Sequence, residues 1–67
     1  MITAKKKIDK YYPDIEMGRE YEVEDIRDYL YLKNNKRHYQ TKYFEFFRNG
    51  RRITQEQARA YVILETL

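Results

Sequence analysis

The dipeptide Asn49-Gly50 constrains the fold of this chain more than any other feature of its sequence. It lies between an aromatic run, Tyr-Phe-Glu-Phe-Phe-Arg, and the tripeptide Arg-Arg-Ile. Asn-Gly is preferred in type I′ hairpin turns, because both central residues of that turn need positive φ. We therefore predict a β-hairpin over about residues 39 to 54. From the turn outward, its predicted pairs are Arg48 with Arg51, Phe47 with Arg52, and Phe46 with Ile53.

The same stretch also fits a single helix that ends at Gly50, since glycine often follows the last turn of a helix. An aromatic stripe would then run along the helix, made by Tyr39, Tyr43, Phe46 and Phe47. Tyr, Thr and Phe are enriched in strands, and they are frequent in this segment. This composition favours the hairpin.

The segment after the hairpin predicts a helix over about residues 55 to 66. Thr54 is a good N-cap, and Gln57 stands three residues later, which completes a capping box. The apolar residues of this helix cover a wider arc than one surface helix needs. They are Ala60, Ile63, Leu64 and Leu67 on one face, with Ala58, Tyr61 and Val62 beside it. We expect burial between other elements, or a homodimer formed through this helix.

A second helix is predicted over about residues 22 to 33, because Val23, Ile26 and Leu30 recur at helical spacing. Acidic residues crowd its first turn, where the helix dipole favours negative charge.

The lysine-rich N-terminal segment has two interpretations. One is a short helix over residues 4 to 11, which Pro13 would stop. The other is a mobile basic arm over residues 1 to 13. With these elements the chain is predicted to form one small α+β domain over residues 1–67.

The composition excludes several kinds of enzyme. A chain of 67 residues buries only about 60% of the surface that its unfolded form exposes, which leaves little room for a pocket. It has no cysteine and no serine, and His38 is its one histidine, so Ser–His and Cys–His nucleophilic sites are excluded. A structural zinc site would need cysteine or several histidines. We expect a nonenzymatic protein without a metal or cofactor.

No segment of the sequence approaches the roughly 20 apolar residues that span a bilayer. The absence of cysteine is compatible with a cytoplasmic setting. We expect a cytoplasmic protein without a membrane partner.

Positive and negative charges fall in separate blocks. Residues 14–28 hold seven acids and two bases, whereas residues 33–52 hold seven bases and one acid. Blocks of this kind predict separate charged faces.

The basic block is interleaved with aromatic residues, and this pattern predicts binding to DNA or RNA. Basic side chains neutralise phosphates, and exposed aromatic rings stack on unpaired bases. The arginines near the turn would gather at the tip of the hairpin. The predicted nucleic-acid-binding residues are Lys36, Arg37, Tyr39, Lys42, Tyr43, Arg48, Arg51 and Arg52.

The acidic block supports an alternative function, that of a protein-binding modulator such as an inhibitor or adaptor of a host complex. It would dock through its aromatic hairpin or through an acidic face. That face consists of Glu20, Glu22, Glu24, Asp25 and Asp28. Acids at the start of a helix are more often solvated than bound to a cation, so a basic protein partner is favoured over a metal.

The predicted order of a helix, a basic hairpin and a second helix resembles the helix-plus-wing part of small winged-helix DNA binders, such as prophage regulators. The strand, Asn-Gly turn, strand and Thr-capped helix are also similar to short phage and mobile-element proteins. This resemblance implies a small regulatory protein, although no recognition helix is found between residues 22 and 50.

Overall fold

Six antiparallel strands and one C-terminal helix make up the protein, which is therefore α+β as predicted. The computed structural model describes all 67 residues. The strands are β1 (Ile2–Lys6), β2 (Tyr21–Ile26), β3 (Leu30–Leu32), β4 (His38–Tyr39), β5 (Phe44–Arg48) and β6 (Arg51–Ile53). A 3-10 helix (Thr41–Tyr43) precedes β5, and the helix α1 is Gln55–Glu65.

The strands lie in the order β4-β3-β2-β1-β5-β6. The first four strands form a meander, and β5 returns to pair with the free edge of β1. Three strands separate β4 from β5 in the sheet, yet the rings of Tyr39 and Phe44 lie 5.8 Å apart. The sheet therefore curls around its apolar face.

The core is the concave face of this sheet, covered by α1. Alternate residues of β1 and β5 point inward, which buries Ile2, Ala4, Phe44 and Phe46. The helix adds only Ala58 and Val62 to the buried set.

The N-terminal prediction of a helix or mobile arm is wrong for residues 2–6. They form β1, which pairs with β2 on one side and β5 on the other. Ile2, Ala4 and Lys6 are all buried, in the alternation that a strand requires. Lysine is seldom buried, so Lys6 hides the alternation of buried and exposed residues from a reading of the sequence.

The predicted helix over residues 22 to 33 is also wrong, because this segment forms the hairpin of β2 and β3. The register shifts between Val23 and Asp25, which marks a β-bulge. A bulge inserts one extra residue, so that apolar residues three apart can face the same side of a strand. Val23 and Ile26 both face the core for this reason and mimic helical spacing. Without this helix, the helix-plus-wing order does not occur.

At the Asn49-Gly50 turn, the pairs between β5 and β6 are those that the dipeptide predicts. Both turn residues have positive φ, 52° and 80°. The hairpin is shorter than predicted, because its first strand begins at Phe44 rather than near residue 39. Tyr39 belongs instead to β4, at the opposite edge of the sheet.

The C-terminal helix begins as predicted, with both hydrogen bonds of the capping box. The Thr54 N–H donates to Gln57 Oε1 at 2.9 Å, and the Gln57 N–H donates to Thr54 Oγ1 at 3.1 Å. Ile63 and Leu64 on this helix remain 52% and 61% exposed. The predicted homodimer through α1 stays a prediction, which a monomer mass in sedimentation, independent of concentration, would contradict. No helix is long and apolar enough to cross a membrane.

Candidate functional site

The three arginines of the β5–β6 hairpin, Arg48, Arg51 and Arg52, differ in whether they form ion pairs. Arg48 Nε lies 3.3 Å from Glu65 Oε2, and its guanidinium lies 4.1 Å from the centre of the Tyr61 ring. Arg52 Nη2 lies 3.5 Å from a Glu45 carboxylate oxygen. Arg51 alone is exposed and in no ion pair.

Glu65, near the C-terminus, contacts both Arg48 of the hairpin and the N-terminal ammonium. Its carboxylate lies 3.2 Å from the ammonium of Met1 as well as beside Arg48. The hydrogen bond from the N-terminal ammonium, followed by that from Arg48, holds the pKa of Glu65 below its usual value. Arg48 is therefore part of a structural charge cluster.

Tyr39 is fully buried and offers no ring face to a ligand. Its hydroxyl donates to Asp14 Oδ2 at 2.6 Å and accepts from Asn35 Nδ2 at 3.3 Å. Burial, together with the hydrogen bond to Asp14, raises the pKa of Tyr39 to about 12. Arg37 Nη1 also contacts Asp14, at 3.4 Å, while Lys36 is exposed and in no ion pair.

The two remaining predicted residues, Lys42 and Tyr43, lie in the 3-10 helix and meet the loop that follows β1. The rings of Tyr43 and Tyr11 are 5.1 Å apart at 55°, and Tyr11 is 45% exposed. Lys42 Nζ lies 5.2 Å from the centre of the Tyr43 ring, and Lys10 Nζ lies 5.3 Å from that of Tyr11.

Lys7 completes this region, because its N–H donates to the Tyr43 carbonyl at 2.9 Å and it lines one cavity with Lys42. We call the group the tyrosine–lysine surface. It consists of Lys7, Lys10, Tyr11, Lys42 and Tyr43. Its three lysines form no ion pair, whereas seven of the fourteen basic side chains do.

The buried Lys6 holds the loop that carries Tyr11. Its ammonium donates to the carbonyls of Tyr12 and Ile15, at 2.9 and 3.1 Å, and lies 3.3 Å from an Asp9 carboxylate oxygen. Its side chain is 1% exposed, while that of Asp9 is 78% exposed. A buried ammonium is tolerated when it is hydrogen-bonded and paired, and Lys6 has two carbonyl acceptors and one carboxylate partner. Lys6 therefore fixes the loop against β1 from the inside.

Tyr12 adopts a left-handed backbone conformation, with φ at 63°. This conformation costs a residue with a side chain about 1 to 2 kcal/mol, and it persists where surrounding contacts determine it. Tyr12 Oη accepts from the Gln40 N–H at 3.0 Å, and its ring meets that of Tyr39 at 4.9 Å. Tyr12 therefore anchors the loop to Gln40, the residue before the 3-10 helix. This contact also positions the neighbouring Tyr11.

The five residues of the predicted acidic face do not lie on one helix, because three of them, Glu22, Glu24 and Asp25, belong to β2. Glu22 pairs with Lys33 and raises the pKa of that lysine through its hydrogen bond and charge. Asp25 Oδ2 lies 2.9 Å from Arg27 Nε. Three acids of residues 14–28 form no ion pair, namely Glu20, Glu24 and Asp28. Glu20 accepts a hydrogen bond from Thr3 Oγ1.

Nowhere in the structure do three or more His, Cys, Asp or Glu side chains lie close enough together to hold a metal ion. No protein-family model, curated protein or solved structure matches this chain.

The predicted nucleic-acid-binding residues do not include Lys7, Lys10 and Tyr11, because the sequence pattern places them in a helix or mobile arm. A signal was present, because "KKKIDKYY" interleaves lysines with tyrosines as the basic block does. Only the pairing of β1 with β5 brings that segment beside the 3-10 helix.

Proposed function

We propose that this chain is a small, nonenzymatic, cytoplasmic nucleic-acid-binding protein whose ligand contacts the tyrosine–lysine surface. The observation that carries the proposal is the position of three lysines without ion pairs beside the exposed Tyr11 and the partly buried Tyr43. Such lysines exchange counterions for phosphates without first breaking an internal ion pair.

The nearby acids support this choice of surface. Asp9 is held by Lys6, and Asp14 is held by Arg37 and Tyr39, so both carboxylates already have cationic or hydrogen-bonding partners. Their charge is partly neutralised before a ligand arrives, which leaves the lysines as the dominant charge of the surface.

The test is fluorescence anisotropy with labelled DNA and RNA, each single-stranded and duplex, at low and near-physiological salt. The variant Lys7→Glu/Lys10→Glu/Lys42→Glu should weaken binding by at least about tenfold, since each lost phosphate contact lowers both the affinity and its salt dependence. The matched control is Lys36→Glu/Arg51→Glu/Arg59→Glu. It reverses three other exposed bases that form no ion pair and changes the net charge equally.

We expect the control variant to lose no more than about threefold in affinity, which is the share that long-range charge contributes. Equal losses in the two variants would mean that net charge alone attracts nucleic acid, and would contradict the proposed surface. No binding by the wild type at near-physiological salt would contradict the proposed function itself.

A second candidate function is docking to a basic protein partner, as an inhibitor or adaptor. A cavity of about 270 Å³ favours it, because Glu22, Glu24 and Glu65 line it together with the apolar Ile2 and Val62. Glu22 and Glu65 already pair with Lys33 and with the Met1 ammonium, so Glu24 is the carboxylate there that a basic partner can contact without breaking an ion pair. This candidate would replace the first if nucleic acid fails to bind, and the charge reversal Glu24→Lys should then abolish capture of the partner.

A further inference from the structure

A second exposed aromatic pair lies next to the tyrosine–lysine surface. Tyr29, at the tip of the β2–β3 hairpin, is 42% exposed, and its ring lies 4.5 Å from that of His38 at 55°. His38 is exposed as well and lies 6.0 Å from the ring of Tyr31. Neither Tyr29 nor His38 belongs to the buried core.

Lys42 connects the two aromatic regions. It lies against Tyr43 on one side, and on the other it lines an open groove of about 480 Å³ together with Tyr29. The same groove contains Gln40 and Thr41, whose side chains offer hydrogen-bond donors and acceptors. Tyr29 therefore lines a polar groove that has one free ammonium in its wall, and the ring of Tyr43 lies beside that ammonium.

Asp28 also lines this groove and is in no ion pair. Its carboxylate would repel a phosphate, whereas carboxylates accept hydrogen bonds from the amino groups of bases. The bases of a ligand, rather than its phosphates, are therefore the groups that suit this part of the groove.

Neither α1 nor the β5–β6 hairpin is suited to a duplex groove. The exposed side of α1 presents Ile63 and Leu64, with Arg59 as its only base. Two of the three arginines of the β5–β6 hairpin are held by Glu45 and Glu65.

We infer that the ligand is a single nucleic-acid strand, which runs from the Tyr11–Tyr43 pair past Lys42 to the Tyr29–His38 pair. The inference rests on the proposed function and specifies its ligand. Bases in a duplex are already stacked on each other, and only unpaired bases expose the faces that these rings can cover. DNA and RNA strands share this chemistry.

The test compares a labelled mixed-sequence strand of about 15 nucleotides with its duplex and with an abasic strand of the same length, a size within the range of single-strand sites. The intact strand should bind at least about tenfold more tightly than the other two. Its affinity should fall with salt with a logarithmic slope of about −2, as three phosphate contacts on a single strand require. Deoxyribose and ribose versions identify which strand is bound, and a preference for either supports the inference.

Two variants at one position separate stacking from charge. Tyr29→Leu should weaken single-strand binding about tenfold without changing the salt slope, because it removes a stacking ring and no cation. Tyr29→Phe keeps the ring and should bind like the wild type. Equal affinity for strand and duplex would overturn the inference, as would wild-type affinity in both Tyr29 variants.

The failure of this inference is distinguishable from the failure of the proposed function. If strand and duplex bind equally but the triple lysine variant still weakens both, the nucleic-acid function stands and the single-strand ligand does not. If no form of nucleic acid binds, both fail.

Discussion

The β5–β6 hairpin and the tyrosine–lysine surface each present three basic side chains, but they differ in what those side chains already contact. Arg48 and Arg52 of the hairpin lie against Glu65 and Glu45. The three lysines of the other region are exposed and form no ion pair. Equal formal charge therefore does not mean equal capacity to bind an anion, because an internal ion pair must be broken before an arginine can serve a ligand.

The two regions also differ in how they are supported. The hairpin depends on its local Asn-Gly turn, with both residues at positive φ. The tyrosine–lysine surface depends on contacts between segments distant in sequence, namely Lys6 with the 7–15 loop and Tyr12 with Gln40. Changes to those contacts should therefore affect one region and spare the other.

The largest expected effect is that of Lys6→Met on stability. The carbonyl of Ile15 would lose its donor, whereas that of Tyr12 keeps the Ile15 N–H as a partner. One buried carbonyl left without a donor costs about 2 kcal/mol of unfolding free energy. Urea unfolding followed by circular dichroism measures this loss. The exposed neighbour provides the control, since Lys7→Met should change stability by less than about 0.5 kcal/mol.

Hydrogen exchange measures which amides lose protection in Lys6→Met. In Lys6→Met, the amides of residues 7–15 should exchange faster relative to those of β5 and β6, because only the loop loses its anchor. A uniform increase in exchange over the whole chain would show that the two regions are not independently supported.

An intermediate effect is expected for Tyr39→Phe. The variant removes the hydrogen bond to Asp14 and should cost about 1 kcal/mol near neutral pH. Because the fold raises the pKa of Tyr39 from 10.0 to about 12, it favours the neutral phenol. That stabilisation is complete below pH 10 and is lost as the pH rises towards 12.

The stability advantage of the wild type over Tyr39→Phe should therefore shrink between pH 10 and 12. Chemical denaturation at a series of pH values measures both curves. Parallel curves over that interval would contradict the role assigned to the Tyr39 hydroxyl.

The smallest effect, a change in nucleic-acid affinity, is expected when the ion pairs of the hairpin arginines are removed. Glu45→Gln/Glu65→Gln removes the ion-pair partners of Arg52 and Arg48. Its nucleic-acid affinity should exceed that of a matched charge control by no more than about twofold, since exposed ion pairs are individually weak.

The control is Glu24→Gln/Glu56→Gln, which makes the same change in net charge at two exposed acids outside ion pairs. Anisotropy titrations compare the two variants. A tenfold gain in the first variant alone would show that the hairpin is the stronger nucleic-acid surface and would reverse the comparison.

The features that the sequence determined by itself are local. The Asn49-Gly50 turn and the Thr54–Gln57 capping box each depend on residues within a few positions of one another. Their geometry follows from intrinsic backbone preference and from hydrogen bonds that no distant segment needs to complete. The α+β class followed from these two elements.

The tertiary structure decided the identity of β1 and of the β2–β3 hairpin. The bulge after Val23 gave a strand the apolar spacing of a helix, and the buried Lys6 concealed a central strand. Both patterns become intelligible only when a partner strand, or a pair of distant carbonyls, is in place. Pairing partners and satisfied buried charges cannot be read from spacing alone.

The tertiary structure also decided which members of the predicted site are free. Tyr39 and Tyr43 are similar in sequence context, yet one is buried against Asp14 and the other is partly buried beside Tyr11. Seven acids neutralise seven bases, several of them across strands or between segments distant in the chain. The sequence determined how many charged and aromatic side chains the protein carries. The fold determined how many of them stay free to contact a partner, because ion pairs and burial depend on contacts between residues far apart in the chain.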